Sequence, residues 1–227
     1  MSFVFPPPAP PAVAIVGRTE RFPVHRIYCV GRNYAAHARE MGKDPEREAP
    51  FFFTKPADAV APSGAQLPFP SRTSDLHHEI ELVVAIGTGG ANIGISQALS
   101  HVYGYAVGLD LTRRDLQAEA KDKGRPWDTA KGFDRSAPIG AITPASEVQL
   151  AGSKIWLKVN GAVRQQGQLA DMIWSVPEII AELSTLFELA PGDLIYTGTP
   201  PGVAAIQSND RLEGGVDGLE PLIVTLI

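Results

Sequence analysis

The chain has 227 residues, a formal net charge of −5 at neutral pH and an isoelectric point near 5.5. Its Lys and Arg are scattered, which excludes a nucleic-acid backbone as the main partner. One cysteine, Cys29, excludes an internal disulfide framework, and no stretch approaches the roughly 20 apolar residues that cross a bilayer, so a single domain in a reducing cytoplasm is expected, without membrane contact.

The first stretch, "MSFVFPPPAPPAVAIVG", lacks a basic n-region and is broken by prolines. It reads as an extended leader over residues 1–24, lying on the domain or on a partner subunit, and not as a signal peptide. Residues 25–227 then form one domain. Strands are predicted over 26–31, 51–55, 79–87, 102–110, 154–160, 194–197 and 222–227. Short helices are predicted in "NYAAHAREM" and "SQALSHV". A third, "TRRDLQAEAK", has Thr112 and Asp115 at capping-box spacing, and "SVPEIIAELSTLF" opens on the stronger pair Ser175 and Glu178. Asn160-Gly161 between two strand-like runs marks a type I′ hairpin, whose two central positions need positive φ. "GTGGANIG" lacks dinucleotide-binding glycine spacing and reads as a loop. Cys29, in "RIYCVG", reads as a buried, inert thiol. Strands dominate without a βαβ rhythm, which predicts an α+β, mostly β architecture with peripheral helices.

"HHEIELVVAIG", from His77, places Glu79 and Glu81 two apart at the head of an apolar strand. Alternate side chains share a face, so the two carboxylates point the same way, with His77 behind them. Adjacent anions leave water reluctantly. Either that face is exposed, or arginines cover it, or a cation sits there. A second apolar run ends at Asp110, a position that also suits a turn or a helix cap. Three carboxylates without a cysteine pair favour a hard cation, Mg²⁺ or Mn²⁺. His77 as a nitrogen ligand would shift the preference toward Mn²⁺ or Zn²⁺, but a place behind the ligands suits it better.

Taken in order, "VGRNYAAHAREM", "PFFFTKPADAV", "HHEIELVVAIG", "GYAVGLDLTRRDLQ", "PWDTAKGFD", "PIG", "VNG" and "PGDLIYTGTPPGV" resemble the fumarylacetoacetate hydrolase superfamily. The resemblance runs from about Ile27 to Val203, with a weaker tail to Ile227. It implies a mixed β-sheet roll, like that family's C-terminal domain, in a homodimer. It also implies a Mg²⁺ or Mn²⁺ site at Glu79, Glu81 and Asp110. Fumarylacetoacetase adds a fourth carboxylate near the first block; here Asn33, Tyr34, Ala35 and Ala36 stand there, and a water takes its place. That enzyme's longer N-terminal domain is missing too, so the chain is more similar to the short acylpyruvate hydrolases.

The same resemblance assigns roles to further residues. His37 and Glu40, three apart on a predicted helix, form a water-activating pair on a lid. Lys131 points at the substrate and stabilises an enolate oxygen. Arg114 and Gln117, three apart on the helix after Asp110, meet a substrate carboxylate or keto oxygen; the competing reading pairs the arginine with Asp115. Arg113 is structural. Gly198, Thr199 and Pro200 of "YTGTPPGV" line the pocket. Phe52 is core, while Lys55 neutralises the carboxylates or contacts substrate. The expected reaction is hydrolysis of the C–C bond of a 2,4-dioxo acid, fumarylpyruvate above all. A small-molecule 2-oxo acid is thus the expected ligand. Oxaloacetate decarboxylation, or isomerisation or hydration of a 2-hydroxymuconate-type acid, could use the same enolate chemistry. A non-catalytic small-acid binding protein is the remaining alternative. Arg125 and Arg164 are candidates for the distal end of the substrate, with no position assigned to either.

Overall fold

The computed structural model describes residues 2–35 and 48–227. Among these, two sheets dominate. The larger, of eight strands, runs in the order Phe51–Lys55, Ile27–Gly31, Leu194–Tyr196, Ile80–Ile86, Val102–Leu109, Ala137–Ile139 and Val60–Pro62, with Thr143–Pro144 added beside Val102–Leu109. It is mixed: Leu194–Tyr196 is parallel to Ile27–Gly31 and antiparallel to Ile80–Ile86. The five-stranded sheet orders Ala162–Gln168, Lys154–Val159, Arg211–Val216, Leu222–Leu226 and Gln66–Leu67. At the Ala162 hairpin, Asn160 and Gly161 have φ of 51° and 82°, the positive pair that the Asn-Gly turn requires.

Strand Ile80–Ile86 is buried along its whole length because both faces are covered. Ile80, Leu82, Val84 and Ile86 join Ile155, Leu157, Leu212 and Val224 in the core shared with the smaller sheet. Val83 and Ala85 face the other way and meet Ala106, Tyr196 and Cys29. A hairpin of Ala12–Ala14 and Arg21–Pro23 closes that second layer with Val13, Ile15, Phe22 and Val24. Residues 12–24 are therefore folded onto the sheet.

Helix α1 spans Arg114–Asp122, the one-turn α2 Asp128–Lys131, and α3 Val176–Leu186. Ser175 and Glu178 form the predicted capping box of α3. The weaker box at Thr112 does not form. The Thr112 hydroxyl bonds the Asp110 carbonyl, and Asp115 instead accepts from Thr73 Oγ1 (2.7 Å) and Ser74 N. "SQALSHV" makes only a 3₁₀ turn, Ala98–His101, because i to i+3 bonds close it directly before strand Val102–Leu109 begins. Of "NYAAHAREM", residues 36–41 lie outside the described residues.

A buried carboxylate cluster and its pocket

Antiparallel pairing sets Ile80 opposite Leu109 and Glu81 opposite Gly108, and the Asp110 amide donates to the Glu79 carbonyl (2.9 Å). Glu79 and Glu81 continue the Val83–Ala85 face of one strand. Asp110 continues the Ala106 face of its neighbour. Register alone thus brings three carboxylates to one corner of the sheet. One oxygen from each lies within 4.8 Å of the others, and all three residues are buried, with exposures of 6%, 2% and 1%.

Three cations surround them. The Arg114 guanidinium pairs with Glu79 and donates to Gln117 Oε1 (2.6 Å), so the helix residues three apart face the cluster together. The Lys131 ammonium reaches Glu79 Oε2 (2.9 Å), Asp110 Oδ2 (2.6 Å) and Thr112 Oγ1 (2.7 Å). Lys131 ends α2 and is buried, not in a solvated loop. Lys55 Nζ stands 2.8 Å from Asp110 Oδ1 and donates to the Leu111 and Lys131 carbonyls, so it neutralises the cluster and does not line the pocket.

The three carboxylates are not served alike. Burial would raise the Glu79 carboxyl, but Lys131 and Arg114 outweigh it and hold the group well below the usual range. Burial likewise pulls the Lys131 ammonium down, while Asp110 and Glu79 hold it above its ordinary value. Burial beside Asp110 and Glu79 pushes the Glu81 carboxyl well up, against the Gly198 amide at 2.8 Å and the more distant charge of Lys131. Asp110 Oδ1, despite the nearby Lys55, has no properly directed hydrogen bond. An all-oxygen set in which Asp110 Oδ1 lacks a directed donor and Glu81 is crowded by two further carboxylates is the donor chemistry of a hard divalent cation.

The cavity over the cluster is lined by Arg114, Gln117, Lys131 and Thr199 together with Arg32, Phe51, Phe53, Lys121 and Trp127. Of the "YTGTPPGV" residues, Thr199 lines it and Gly198 holds Glu81. The φ of +97° at Gly198 and the closeness of Asn33 to its missing Cβ leave no room for a side chain. Pro200 is turned away from the cavity lining, against Gly167, and its carbonyl accepts from Gln165. His77 sits behind Glu79, with Nε2 on Asp75 and Nδ1 facing Arg114. Arg113 lies over the Phe133 ring at 4.4 Å and donates to the Thr129 carbonyl. Phe52 packs against the core, and burial pushes the Cys29 thiol well up, as an inert thiol requires. His37 and Glu40 lie outside the described residues.

Several supports carry no local sequence signal. Asn33 is fully buried and accepts from the Trp174 amide while donating to the Trp174 and Thr197 carbonyls, tying three loops together. Gln165 accepts from the Ile80 amide, contacts His78, and donates to Thr199 Oγ1 and the Pro200 carbonyl. Lys121 could have been found by extending the Arg114 and Gln117 face by one turn.

Residues 26–227 match the family described as fumarylacetoacetate (FAA) hydrolase C-terminal. A fumarylpyruvate hydrolase from Ralstonia sp is 46% identical over 188 residues, 82% of this chain and 98% of that protein. The mitochondrial oxaloacetate tautomerase of Rattus norvegicus is 45% identical over 194 residues, 85% of this chain and 87% of that protein. Among solved structures, fumarylpyruvate hydrolase from Pseudomonas aeruginosa, in complex with Mn²⁺ and pyruvate, superposes with a TM-score of 0.96 at 55% identity. That alignment covers 100% of this chain and 99% of the other.

Proposed function

The chain belongs to the fumarylacetoacetate hydrolase family, and from that premise we propose that it is an enzyme hydrolysing the C–C bond of an acylpyruvate, with fumarylpyruvate as the favoured substrate. One observation carries the reading: three buried carboxylates on adjacent strands converge beneath a pocket lined by Arg114, Gln117 and Lys131. Glu79, Glu81 and Asp110 would hold the divalent cation, Mg²⁺ or Mn²⁺. Bound there, it supplies Lewis acidity to the proximal oxygens of the dioxo acid.

The chain's own residues divide the remaining work. Arg114 and Gln117 orient the proximal carboxylate end. His37 and Glu40 take a proton from water, whose oxygen attacks the C4 carbonyl. The C3–C4 bond breaks with its electron pair going to the pyruvate fragment. Lys131 lies beside that developing charge and opposes it. Protonation at C3 releases pyruvate, and the acyl half leaves as fumarate. Replacing Glu40 by Gln is expected to leave Mn²⁺ binding nearly intact while kcat falls steeply; an unchanged kcat would exclude this base.

The oxaloacetate tautomerase relatives favour a second reading, proton transfer on a 2-oxo acid without an attacking water. Purified protein with Mn²⁺ separates the two. Fumarylpyruvate should disappear with equimolar fumarate and pyruvate, whereas a tautomerase would interconvert keto and enol oxaloacetate and leave fumarylpyruvate intact. We place the enzyme in the cytoplasm as a homodimer. Among the described residues no helix is long and apolar enough to cross a membrane.

A further inference from the structure

Helix α1 continues past the cluster. Arg114, Gln117 and Lys121 stand at i, i+3 and i+7, the spacing of one helical face, and all three line the cavity. Seven residues advance the face by about 10 Å at 1.5 Å each, comparable to the length of an extended seven-carbon diacid. Arg114 touches Glu79 at one end, while Lys121 is exposed at the rim. Arg32 lines the same cavity from the end of strand Ile27–Gly31, in the positive-φ conformation (57°).

Neither rim cation has an acidic partner among the described residues. Lys121 Nζ lies over the Trp127 ring at 5.1 Å and the Arg32 guanidinium over the Phe51 ring at 5.5 Å, with Phe51 and Trp127 edge to face. The charged groups that act on Lys121 are Arg114, Arg32, Lys131 and, weakly, Glu79. Desolvation and the three cations pull its ammonium down to about 8. The pocket therefore has a carboxylate floor suited to a cation and, a helix face away, a positive rim with aromatic walls and no acidic partner among the described residues.

We infer that Lys121, with Arg32, is the receptor for a second, distal carboxylate, so that the enzyme selects dioxo acids ending in a carboxylate over acylpyruvates with an apolar end. This rests on the acylpyruvate reading above and adds the residues that choose the acyl group. The distal anion would take a charge-assisted hydrogen bond from each cation while its unsaturated chain lies between Phe51 and Trp127.

The test compares kcat/KM for fumarylpyruvate and acetylpyruvate with Mn²⁺. The two share the dioxo-acid end and differ in the distal carboxylate. Lys121→Met should lower the fumarylpyruvate-to-acetylpyruvate ratio tenfold or more, the scale of one lost charge-assisted hydrogen bond, and Lys121→Arg should restore most of it. Inhibition by pyruvate, which has no distal end, should keep its strength in both variants, showing an intact floor. An unchanged ratio overturns the inference, as does a loss of pyruvate inhibition that parallels the loss of turnover. Wild-type protein that turned over neither substrate would remove the acylpyruvate reading itself, and this inference with it.

Discussion

Strand Leu194–Tyr196 has a buried carboxylate at one end and supports a different one at the other. Asp193, just before it, has no exposed side-chain surface. It accepts from Arg26 Nε (3.1 Å), Arg26 Nη2 (2.8 Å) and the Ala190 amide (2.8 Å), and His25 Nδ1 stands at 2.8 Å. Beyond the other end, Gly198 gives Glu81 a single amide hydrogen bond, with two further carboxylates beside it. Both residues are buried, yet Asp193 has donors on both oxygens, whereas Glu81, which lines the cavity, accepts one amide among the described residues and has beside it an Asp110 Oδ1 with no directed donor. Since an unsatisfied buried polar group costs about 1–3 kcal/mol, and more when charged, the difference separates a structural anchor from a site shaped for something absent from the chain itself.

Opposite responses to substitution would sharpen this contrast most. Glu81→Gln should lower fumarylpyruvate turnover by about a thousandfold or more, since several kcal/mol of transition-state stabilisation is routed through the carboxylate set, and calorimetric Mn²⁺ binding should fall with it. The metal-free fold should melt at or slightly above the wild-type temperature, because the change removes a poorly served carboxyl. Asp193→Ala should do the reverse. It orphans the Ala190 amide and removes the carboxylate partner of Arg26, at a cost of about 3 kcal/mol in denaturant unfolding, while Mn²⁺ affinity holds. If Asp193→Ala abolished metal binding, or Glu81→Gln unfolded the chain, the distinction would fail. Next in size is the metal itself. Mn²⁺ at a hundred times its Kd should stabilise the wild type by about 2.7 kcal/mol and Asp193→Ala by as much, with no gain for Glu81→Gln.

The same contrast bears on what the sequence discloses. The strands are legible because Ile80–Ile86 and Val102–Leu109 are covered on both faces and so read as apolar runs. The carboxylates are legible because they interrupt those runs at the strand ends, where alternation puts them on one face. The cations are harder to read. Lys55 and Lys131 reach Asp110 across separations of 55 and 21 residues, and neither carries a periodic mark. Asn33 and Gln165 are less visible still: uncharged amides whose partners lie more than thirty residues away resemble any loop or edge-strand residue. The hairpin over residues 12–24 is obscured by its prolines, although Val13, Ile15, Phe22 and Val24 alternate toward the sheet. Thr112 and Asp115 have the right spacing for a cap, but Lys131 and the Thr73–Ser74 loop claim their side chains.

The smallest expected effect concerns the positive rim and is read in pH. The Lys121 ammonium sits near 8 in the folded chain against 10.5 when free. Its folded value is the lower one, so the charged form is disfavoured by folding. That penalty is present in full below pH 8 and is relieved as the pH rises from 8 toward 10.5, where the unfolded chain also loses the proton. Substrate binding has the opposite sign, because only the protonated form attracts a distal carboxylate. KM for fumarylpyruvate should therefore rise severalfold as the pH passes through about 8. KM for acetylpyruvate should show no such limb, and Lys121→Arg should move the limb out of the measurable range. Lys131 is held protonated by Asp110 and Glu79, and Glu79 is held ionised by Lys131 and Arg114, so neither contributes an inflection near pH 8. A common rise in KM for both substrates would place the titrating group at the floor of the pocket and not at its rim.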